Sequence, residues 1–216
     1  MKLHKLFPLL LTAAMLFSLA ACSRGNTETT SQQAAKGEST MPNTAPTEEA
    51  RIDTQPKILV AYFSATGTTK GIAQQLATGL GADLYEIVPE TPYTSADLNY
   101  NDHSSRSSLE TDDPDARPAI SGTVENMGQY DVVLIGYPIW WGNAPRIMNT
   151  FVESYDFSGK TLAAFCTSGS SGFGSSDSTL RAAADTALWL EGTRFSGSAS
   201  SEEILKWANG LGIRDT

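Results

Sequence analysis

The chain is poor in cysteine, histidine and positive charge. Its 216 residues include 2 cysteines and 2 histidines, and 15 lysines and arginines stand against 24 aspartates and glutamates. Two cysteines cannot supply the disulfide framework of a small secreted miniprotein. Nucleic-acid binding is also disfavoured, because a phosphate backbone is held mainly by Lys and Arg. With 40% apolar residues the chain can still bury a core, which excludes a wholly disordered protein.

The negative charge is unevenly distributed along the chain. Residues 1–56 contain five basic and five acidic residues, so the whole net charge of −9 belongs to residues 57–216. The sequence therefore indicates an acidic domain that follows a segment of balanced charge.

Residues 1–21 are typical of an export signal. A basic start precedes an apolar stretch that is too short and wrongly flanked for a permanent membrane span. The exit, Leu19-Ala20-Ala21-Cys22, resembles the lipobox of bacterial lipoproteins. This resemblance implies cleavage before Cys22, its lipidation, and an exported protein that is anchored to a bacterial membrane through lipid alone. An ordinary cleaved signal is the alternative.

Residues 22–56 are predicted to form a disordered membrane tether. The segment is rich in Ser, Thr, Gln, Asn, Glu, Gly and Pro and has almost no large apolar residue. Such a composition cannot offset the entropy lost on ordering. As a flexible coil it would span roughly 30–35 Å. If Cys22 is lipidated, the domain that follows has no internal disulfide, since only Cys166 remains.

Residues 57–212 are predicted to fold as one domain that begins with a phosphate-binding pattern. Lys57–Phe63 reads as a buried strand, and a helix follows with Ile72, Leu76 and Leu80 on one face and Gly79 and Gly81 at its end. The loop between them contains Ser64, Ala65, Thr66, Gly67, Thr68 and Thr69. Backbone amides and the positive end of a helix meet in such a loop and favour a phosphate. Simple helix capping by Ser or Thr is the alternative.

Three common sequence motifs of catalytic or nucleotide-binding sites are missing from the chain. It has no complete Gly-x-x-x-x-Gly-Lys-Ser/Thr motif for a nucleoside triphosphate, since Gly159-Lys160-Thr161 has Ser154 in place of the first glycine and leads into a strand, and it has no Gly-x-Gly-x-x-Gly for a dinucleotide. A Gly-x-Ser-x-Gly elbow for a serine hydrolase is also missing, and we interpret His103 as a surface residue. Hydroxyls and amides without a cation suit a small phosphate monoester.

Two further predicted strands end in unusual loops. The strand Val132–Gly136 leads into Pro138, Ile139, Trp140, Trp141, Gly142 and Asn143. The strand Lys160–Cys166 leads into Thr167, Ser168, Gly169, Ser170, Ser171, Gly172 and Gly174. In an open parallel sheet, ligands bind at the carboxyl ends of the strands. One loop offers phosphate donors, one offers paired aromatic rings and one offers close backbone approach, so together they indicate a phosphate joined to a flat ring.

These three loops resemble those of the flavodoxin-like family, in particular its short bacterial lipoprotein branch. The resemblance implies an α/β fold, with a doubly wound five-stranded parallel sheet of order 2-1-3-4-5 in a three-layer α/β/α arrangement. It also implies flavin mononucleotide (FMN) as cofactor. The phosphate would lie at Ser64 to Thr69, one edge and face of the ring at Pro138 to Asn143, and the pyrimidine side at Thr167 to Gly174. Aromatic cover and nearby carboxylates would disfavour the reduced, anionic flavin.

The resemblance leaves three functions open. The first is an exported, membrane-tethered FMN protein that transfers electrons to a redox partner protein or a small quinone-type acceptor. The second is an FMN-dependent NAD(P)H quinone or nitro reductase, and the third is a flavin-free binding module. No stretch resembles a nicotinamide-binding motif, which favours the first, and the intact loops disfavour the third.

Residues 90–128 form an unusually long acidic connection. Eight acidic and two basic residues give it most of the net negative charge. It is either a solvated excursion around a short helix or a lid and docking surface in which Tyr93 and Tyr100 cover the flavin. The remaining predictions are an edge strand Ala82–Val88, a helix Ser178–Ala187, a last strand Trp189–Phe195, a final helix capped by Ser200 and Glu203, and core positions for Trp189 and Trp207.

Overall fold

The computed structural model describes residues 55–214. The predicted signal peptide, Cys22 and nearly all of the tether lie outside these residues. No helix of residues 55–214 has the length and apolarity needed to cross a bilayer.

Strands and helices alternate along most of the described chain. The strands are β1 (Ile58–Tyr62), β2 (Asp83–Glu86), β3 (Val88–Pro89), β4 (Ile120–Ser121), β5 (Val132–Pro138), β6 (Thr161–Thr167), β7 (Leu188–Trp189) and β8 (Thr193–Phe195). The helices are α1 (Thr68–Leu80), α2 (Arg106–Asp112), α3 (Arg146–Glu153), α4 (Ser178–Ala183) and α5 (Ser201–Gly210), and a 3-10 turn spans Met127–Gln129.

The main sheet is parallel and has the order β2-β1-β5-β6-β7, with β8 also paired to β6. This confirms the predicted doubly wound order. The fifth position differs, however, because β7 and β8 are two short strands where one strand, Trp189–Phe195, was predicted. Strands β3 and β4 form a separate antiparallel pair, so the predicted edge strand Ala82–Val88 is interrupted after Glu86.

The fifth strand is interrupted at Gly192. A Cβ atom at this position would collide with the ring of Phe173 and would lie 2.8 Å from the carbonyl oxygen of Ala164. The space beside Gly192 is therefore occupied by the ring of Phe173, which belongs to a loop that is distant in sequence. That contact could not be read from the local apolar pattern.

Each face of the sheet is covered by its own pair of helices. Ile72 and Leu76 of α1 and Ile204 of α5 pack with Val60 and Leu134 on one face. On the opposite face, α3 and α4 pack with alternate residues of the same strands, in a cluster that includes Val133, Ile135, Ile147, Phe151 and Leu180. Alternate residues of a strand point to opposite faces, so a buried sheet of this kind needs apolar residues throughout. The three-layer prediction is confirmed.

Helix α1 confirms the predicted apolar face but not both predicted stops. Ile72, Leu76 and Leu80 are buried, and Gly81 ends the helix with a φ of 62°. Gly79 remains inside the helix, where a Cβ atom would collide with Leu205 of α5. Glycine at position 79 therefore serves the close approach of two helices.

Several predicted boundaries in the last third of the domain need correction. The predicted helix Ser178–Ala187 ends at Ala183, and the carbonyl of Ala184 accepts a hydrogen bond from Trp189 Nε1 instead. Trp189 and Trp207 are half-buried at the margins of the core. The predicted cap of the last helix is present, since Ser200 Oγ accepts from the backbone N–H of Glu203 at 3.2 Å.

Candidate functional site

The predicted phosphate loop joins β1 to the amino end of α1. Gly67 has a φ of 87°, a left-handed conformation that glycine adopts without strain, and α1 begins at Thr68. The first turn of α1 contains no acidic residue, and the N-cap residue, Gly67, has no side chain that could accept a hydrogen bond from its amides. Its free amides and positive end therefore remain available to an anion.

The hydroxyl groups of this loop differ in their surroundings. Thr66 and Thr68 are exposed, and their hydroxyl oxygens lie 3.4 Å apart. The Oγ atom of Ser64 is buried, and it has no hydrogen-bond partner within the described residues. A buried hydroxyl without a hydrogen-bond partner costs free energy. Such an unpaired group is expected where a bound polar ligand supplies the missing partner.

Lys70, the basic residue of the first turn of α1, points away to the neighbouring strand. Its Nζ donates to Glu86 Oε2 at 2.7 Å, and Tyr62 donates to the same oxygen at 2.9 Å. The Lys70 bond is the main reason that the pKa of Glu86 lies below its usual range. The loop is therefore built from hydroxyls and amides, as its sequence predicted.

The aromatic loop contains a tight turn with Trp141 at its tip. Trp140 and Asn143 exchange two backbone hydrogen bonds of 3.0 and 2.9 Å, and Trp141 and Gly142 between them have φ values of 51° and 82°. Positive φ at both central residues defines a type I′ turn, for which Asn-Gly is the favoured pair. A bulky residue at the first position is a backbone outlier, and such strain is concentrated at functional sites.

The two tryptophans, which were predicted as a pair, have different environments. Trp140 is half-buried, and its ring packs edge-on against Tyr93 and Phe63 with centroids 5.0 and 5.5 Å apart. Trp141 is 45% exposed, and its ring stacks against the His103 ring, with centroids 5.8 Å apart and planes inclined by 29°. Trp141 is thus the residue of the pair whose face can meet a ligand, whereas Trp140 supports the loop.

The third loop follows β6 and is folded on itself. Ser168 Oγ accepts hydrogen bonds from the backbone N–H groups of Ser170 and Ser171 at 3.2 and 2.8 Å. The ring of Phe173 covers Gly192. Exposed backbone therefore lies between two fixed points, in residues 169–172.

Two buried contacts join the three loops to one another. Thr69 Oγ1 lies 2.8 Å from Thr167 Oγ1, which ties the phosphate loop to the end of β6. Ser176 ties the third loop to the second, because its Oγ lies 2.9 Å from Tyr137 Oη and its carbonyl accepts from Ala144 N at 2.9 Å. The hydroxyl of Thr69, which was predicted to hold phosphate, is therefore engaged in a loop-to-loop contact.

Part of the acidic 90–128 connection is packed, which neither sequence interpretation described fully. Tyr93 donates to Glu110 Oε2 at 2.6 Å, and the Arg106 guanidinium lies 3.9 Å from the Tyr93 ring centroid. Glu110 and Arg106 together hold Tyr93 in contact with Trp140. Tyr100, the other predicted cover, is 71% exposed, and the carboxylates of Asp102, Asp112, Asp113 and Asp115 are also at the surface. The predicted short helix in this segment is α2.

Burial changes the titration of two groups beneath the loops. It raises the pKa of the Cys166 thiol to about 12, which keeps the thiol neutral. It also raises the pKa of the Tyr137 hydroxyl far above its usual range. Both groups are therefore structural at neutral pH.

A sequence profile of the family described as Flavodoxin matches residues 57–211. The chain belongs to the flavodoxin family. Its solved relatives include a protein of Bacteroides eggerthii DSM 20697, described as a proposed flavoprotein, with 50% sequence identity and a TM-score of 0.69. That match covers 73% of this chain and 98% of the relative.

Two further solved structures extend the comparison of this flavodoxin. A proposed flavoprotein from Bacteroides uniformis ATCC 8492 is 44% identical, with a TM-score of 0.68, and the match covers 72% of this chain and 99% of that one. A flavoprotein from Lactobacillus acidophilus NCFM, solved in complex with FMN, is 23% identical, with a TM-score of 0.54 and coverage of 71% and 99%. At that identity the third structure shows a shared fold.

The structure adds residues to this region that the sequence patterns did not indicate. Arg194 of β8 lies beside the third loop, where its Nε donates to the carbonyl of Ser171 at 3.3 Å. A Cβ atom at Gly197 would lie 2.9 Å from Thr68, so the loop after β8 reaches the phosphate loop. Both residues are far in sequence from the loops that they contact, and no motif marks them.

A separate cavity lies at the opposite edge of the sheet. It has a volume of about 550 Å³ and is bordered by Lys57, Leu80, Asp83 and Arg214. Lys57 precedes β1, whereas the three loops follow the carboxyl ends of their strands. The cavity is therefore distinct from the candidate site at the three loops.

Proposed function

We propose that the protein binds FMN at the three joined loops and acts as an exported, membrane-tethered electron carrier. One observation carries the proposal of FMN: the buried Ser64 hydroxyl without a partner, at the uncapped amino end of α1. A phosphate group needs hydrogen-bond donors but no cationic side chain here, because the amides and the dipole of the helix supply much of the stabilisation.

The remaining loops fit the other parts of FMN. The face of the Trp141 ring opposite His103 would suit a flat ring, and stacking adds about 0.5–1.5 kcal/mol beyond area burial. In the exposed residues 169–172, the backbone groups that are not bonded to Ser168 or Arg194 would meet the polar pyrimidine edge. The Lactobacillus acidophilus protein of the same fold was solved in complex with FMN, which supports this choice of cofactor.

FMN, when bound, supplies the electron chemistry, and the chain contributes binding, orientation and exclusion of water. The hydroxyls of Ser64, Thr66 and Thr68 would hold the phosphate. Trp141 would shield one face of the ring. Trp140 and Tyr93 would keep the turn that carries Trp141 in place.

An electron carrier needs a partner, and the surface beside Trp141 suggests how one is selected. Exposed carboxylates of the 90–128 connection lie on the same segment as His103, which contacts Trp141. The negative electrostatic potential of these carboxylates would steer a positively charged partner and raise its association rate. The partner is a redox protein or a small quinone-type acceptor.

The test uses the purified full-length chain and a fluorescence titration with FMN. We expect quenching of the flavin emission at micromolar protein, and weaker binding of riboflavin because it lacks the phosphate. Absence of quenching would exclude both flavin functions. With FMN bound, the carrier should consume no NADPH in the presence of a quinone unless a separate reductase is added. Steady NADPH consumption by the protein alone would instead identify a reductase.

The membrane tether has its own test. Cells that express the full chain or a Cys22→Ser variant are separated into membrane and soluble fractions. The native protein should be found in the membrane fraction, and the variant should not be processed or lipidated. Equal processing of both proteins, or a native protein that carries no attached lipid, would contradict the lipid anchor.

A further inference from the structure

Arg194 places a positive charge beside the third loop of the candidate site. Its Nε donates to the carbonyl of Ser171, and the guanidinium carries further N–H donors on its two terminal nitrogens. None of the ion pairs found among residues 55–214 includes Arg194. The nearby carboxylate of Asp177 is paired with Arg181 at 2.6 Å. The charge of Arg194 is therefore not offset by a neighbouring carboxylate of the described chain.

The register of β8 decides which part of a ligand this charge can reach. Arg194 is aligned with Cys166 of β6, and Cys166 belongs to the core cluster on the side of α3 and α4. The next residue, Phe195, packs on the opposite face with α1. Since adjacent residues of a strand point to opposite faces, the Arg194 side chain lies on the face away from α1.

The hydrogen-bond partner of Arg194 supports the same assignment. Its Nε bonds to Ser171 of the third loop, whereas the phosphate loop is contacted by the later residue Gly197. The backbone contact of Arg194 is with the loop that follows β6, so its charge acts at the ring end of the site.

We propose that Arg194 stabilises reduced FMN selectively and thereby raises the reduction potential of the bound flavin. This role rests on the proposed FMN binding. Full reduction takes up two electrons and one proton from an external donor, such as the redox partner, and leaves one negative charge on the pyrimidine part of the ring at neutral pH. A cation near that part stabilises the reduced form more than the neutral oxidised form. Arg194 thus opposes the aromatic cover and carboxylates, which act in the other direction.

The experiment compares the full-length native chain with Arg194→Gln, Arg194→Lys and Lys206→Gln. Lys206 is exposed on α5, so its replacement removes the same charge without touching the loops. Dissociation constants of oxidised FMN and riboflavin come from fluorescence titration. The midpoint potential comes from reductive titration with dithionite against reference dyes.

For Arg194→Gln we expect the affinity for reduced FMN to fall about tenfold more than the affinity for oxidised FMN. This corresponds to a potential about 30 mV lower for a two-electron couple. Arg194→Lys should retain most of the native potential, and Lys206→Gln should retain all of it.

Other outcomes would overturn the assignment. An unchanged potential in Arg194→Gln would remove the role while leaving FMN binding in place. Equal weakening of both redox states, with FMN but not riboflavin affected, would show a phosphate contact instead. If the native chain failed to bind FMN, the proposed function would fail first, and this role with it.

Discussion

Thr69 Oγ1 and Thr167 Oγ1 lie 2.8 Å apart in a buried contact between residues that are 98 positions apart in the chain. The contact connects the amino end of α1 with the carboxyl end of β6. Thr167 also accepts a backbone hydrogen bond from Ile139 through its carbonyl oxygen, at 3.0 Å. One residue therefore holds the phosphate loop and the aromatic loop in a fixed relation.

Removing either hydroxyl of this pair should destabilise the domain. Thr69→Val and Thr167→Val keep the side-chain shape, but each leaves the other hydroxyl buried without its partner, at an expected cost of about 1–3 kcal/mol. The double variant should lose less than the sum of the single losses, because the second change removes the orphaned group. Urea unfolding of the four proteins measures this coupling, and additive losses would show that the two hydroxyls act independently.

Ser64→Ala should affect stability and flavin affinity in opposite ways. In the FMN-free protein the change removes a buried, unpartnered hydroxyl, so the free energy of unfolding should stay the same or rise slightly. The affinity for FMN should fall by about ten- to a hundredfold, since a hydrogen bond to a charged group contributes about 1.5–3 kcal/mol. Riboflavin serves as the matched ligand, and its affinity should not change. Equal losses for FMN and riboflavin would place Ser64 away from the phosphate.

Trp141→Asn should relieve backbone strain and at the same time weaken flavin binding. Asn-Gly suits a type I′ turn, so thermal unfolding of the FMN-free protein should show a gain of about 1 kcal/mol. Loss of the ring should lower FMN affinity by about two- to tenfold. Trp141→Phe retains an aromatic ring and the strain, and it should keep both native properties. A stable Trp141→Asn variant with native FMN affinity would exclude Trp141 as the ring cover.

Alkaline pH should destabilise the domain by ionising two groups, the thiol of Cys166 and the hydroxyl of Tyr130. Burial raises the pKa of Cys166 from 9.0 to about 12, and burial with a hydrogen bond to Asp83 raises the pKa of Tyr130 from 10.0 to about 12. Because the folded state favours the protonated forms, their contribution is complete below about pH 9 and is lost as the pH rises towards 12. Urea midpoints measured at increasing pH should fall across this interval.

The Cys166→Ala variant separates the contribution of the thiol from that of Tyr130. Its stability should decline less steeply between pH 9 and the alkaline limit. The native thiol should also resist disulfide reagents at pH 8 until the protein unfolds, since a neutral buried thiol is a poor nucleophile. Rapid modification of folded protein would contradict the buried, protonated state.

Local patterns predicted the parts of the fold that depend on short stretches of sequence. The apolar run before Ser64 and the spacing of Ile72 and Leu76 are enough to define β1 and α1, and hence the phosphate loop. The different environments of Trp140 and Trp141 were not predictable, because they depend on the sign of φ at the turn. The contact of Arg194 with the third loop was not predictable either, since Arg194 and Ser171 are 23 positions apart in the chain.

The two ends of the described chain lie at the same edge of the sheet. Gln55 and Arg214 border one cavity beside the start of β1, and the three loops are at the far edge. A surface linker attached beyond either end would therefore present the loops to solution and leave them accessible. Immobilised on an electrode in this way, the protein would expose its candidate flavin edge to diffusing partners, so voltammetry could follow each partner as it is added.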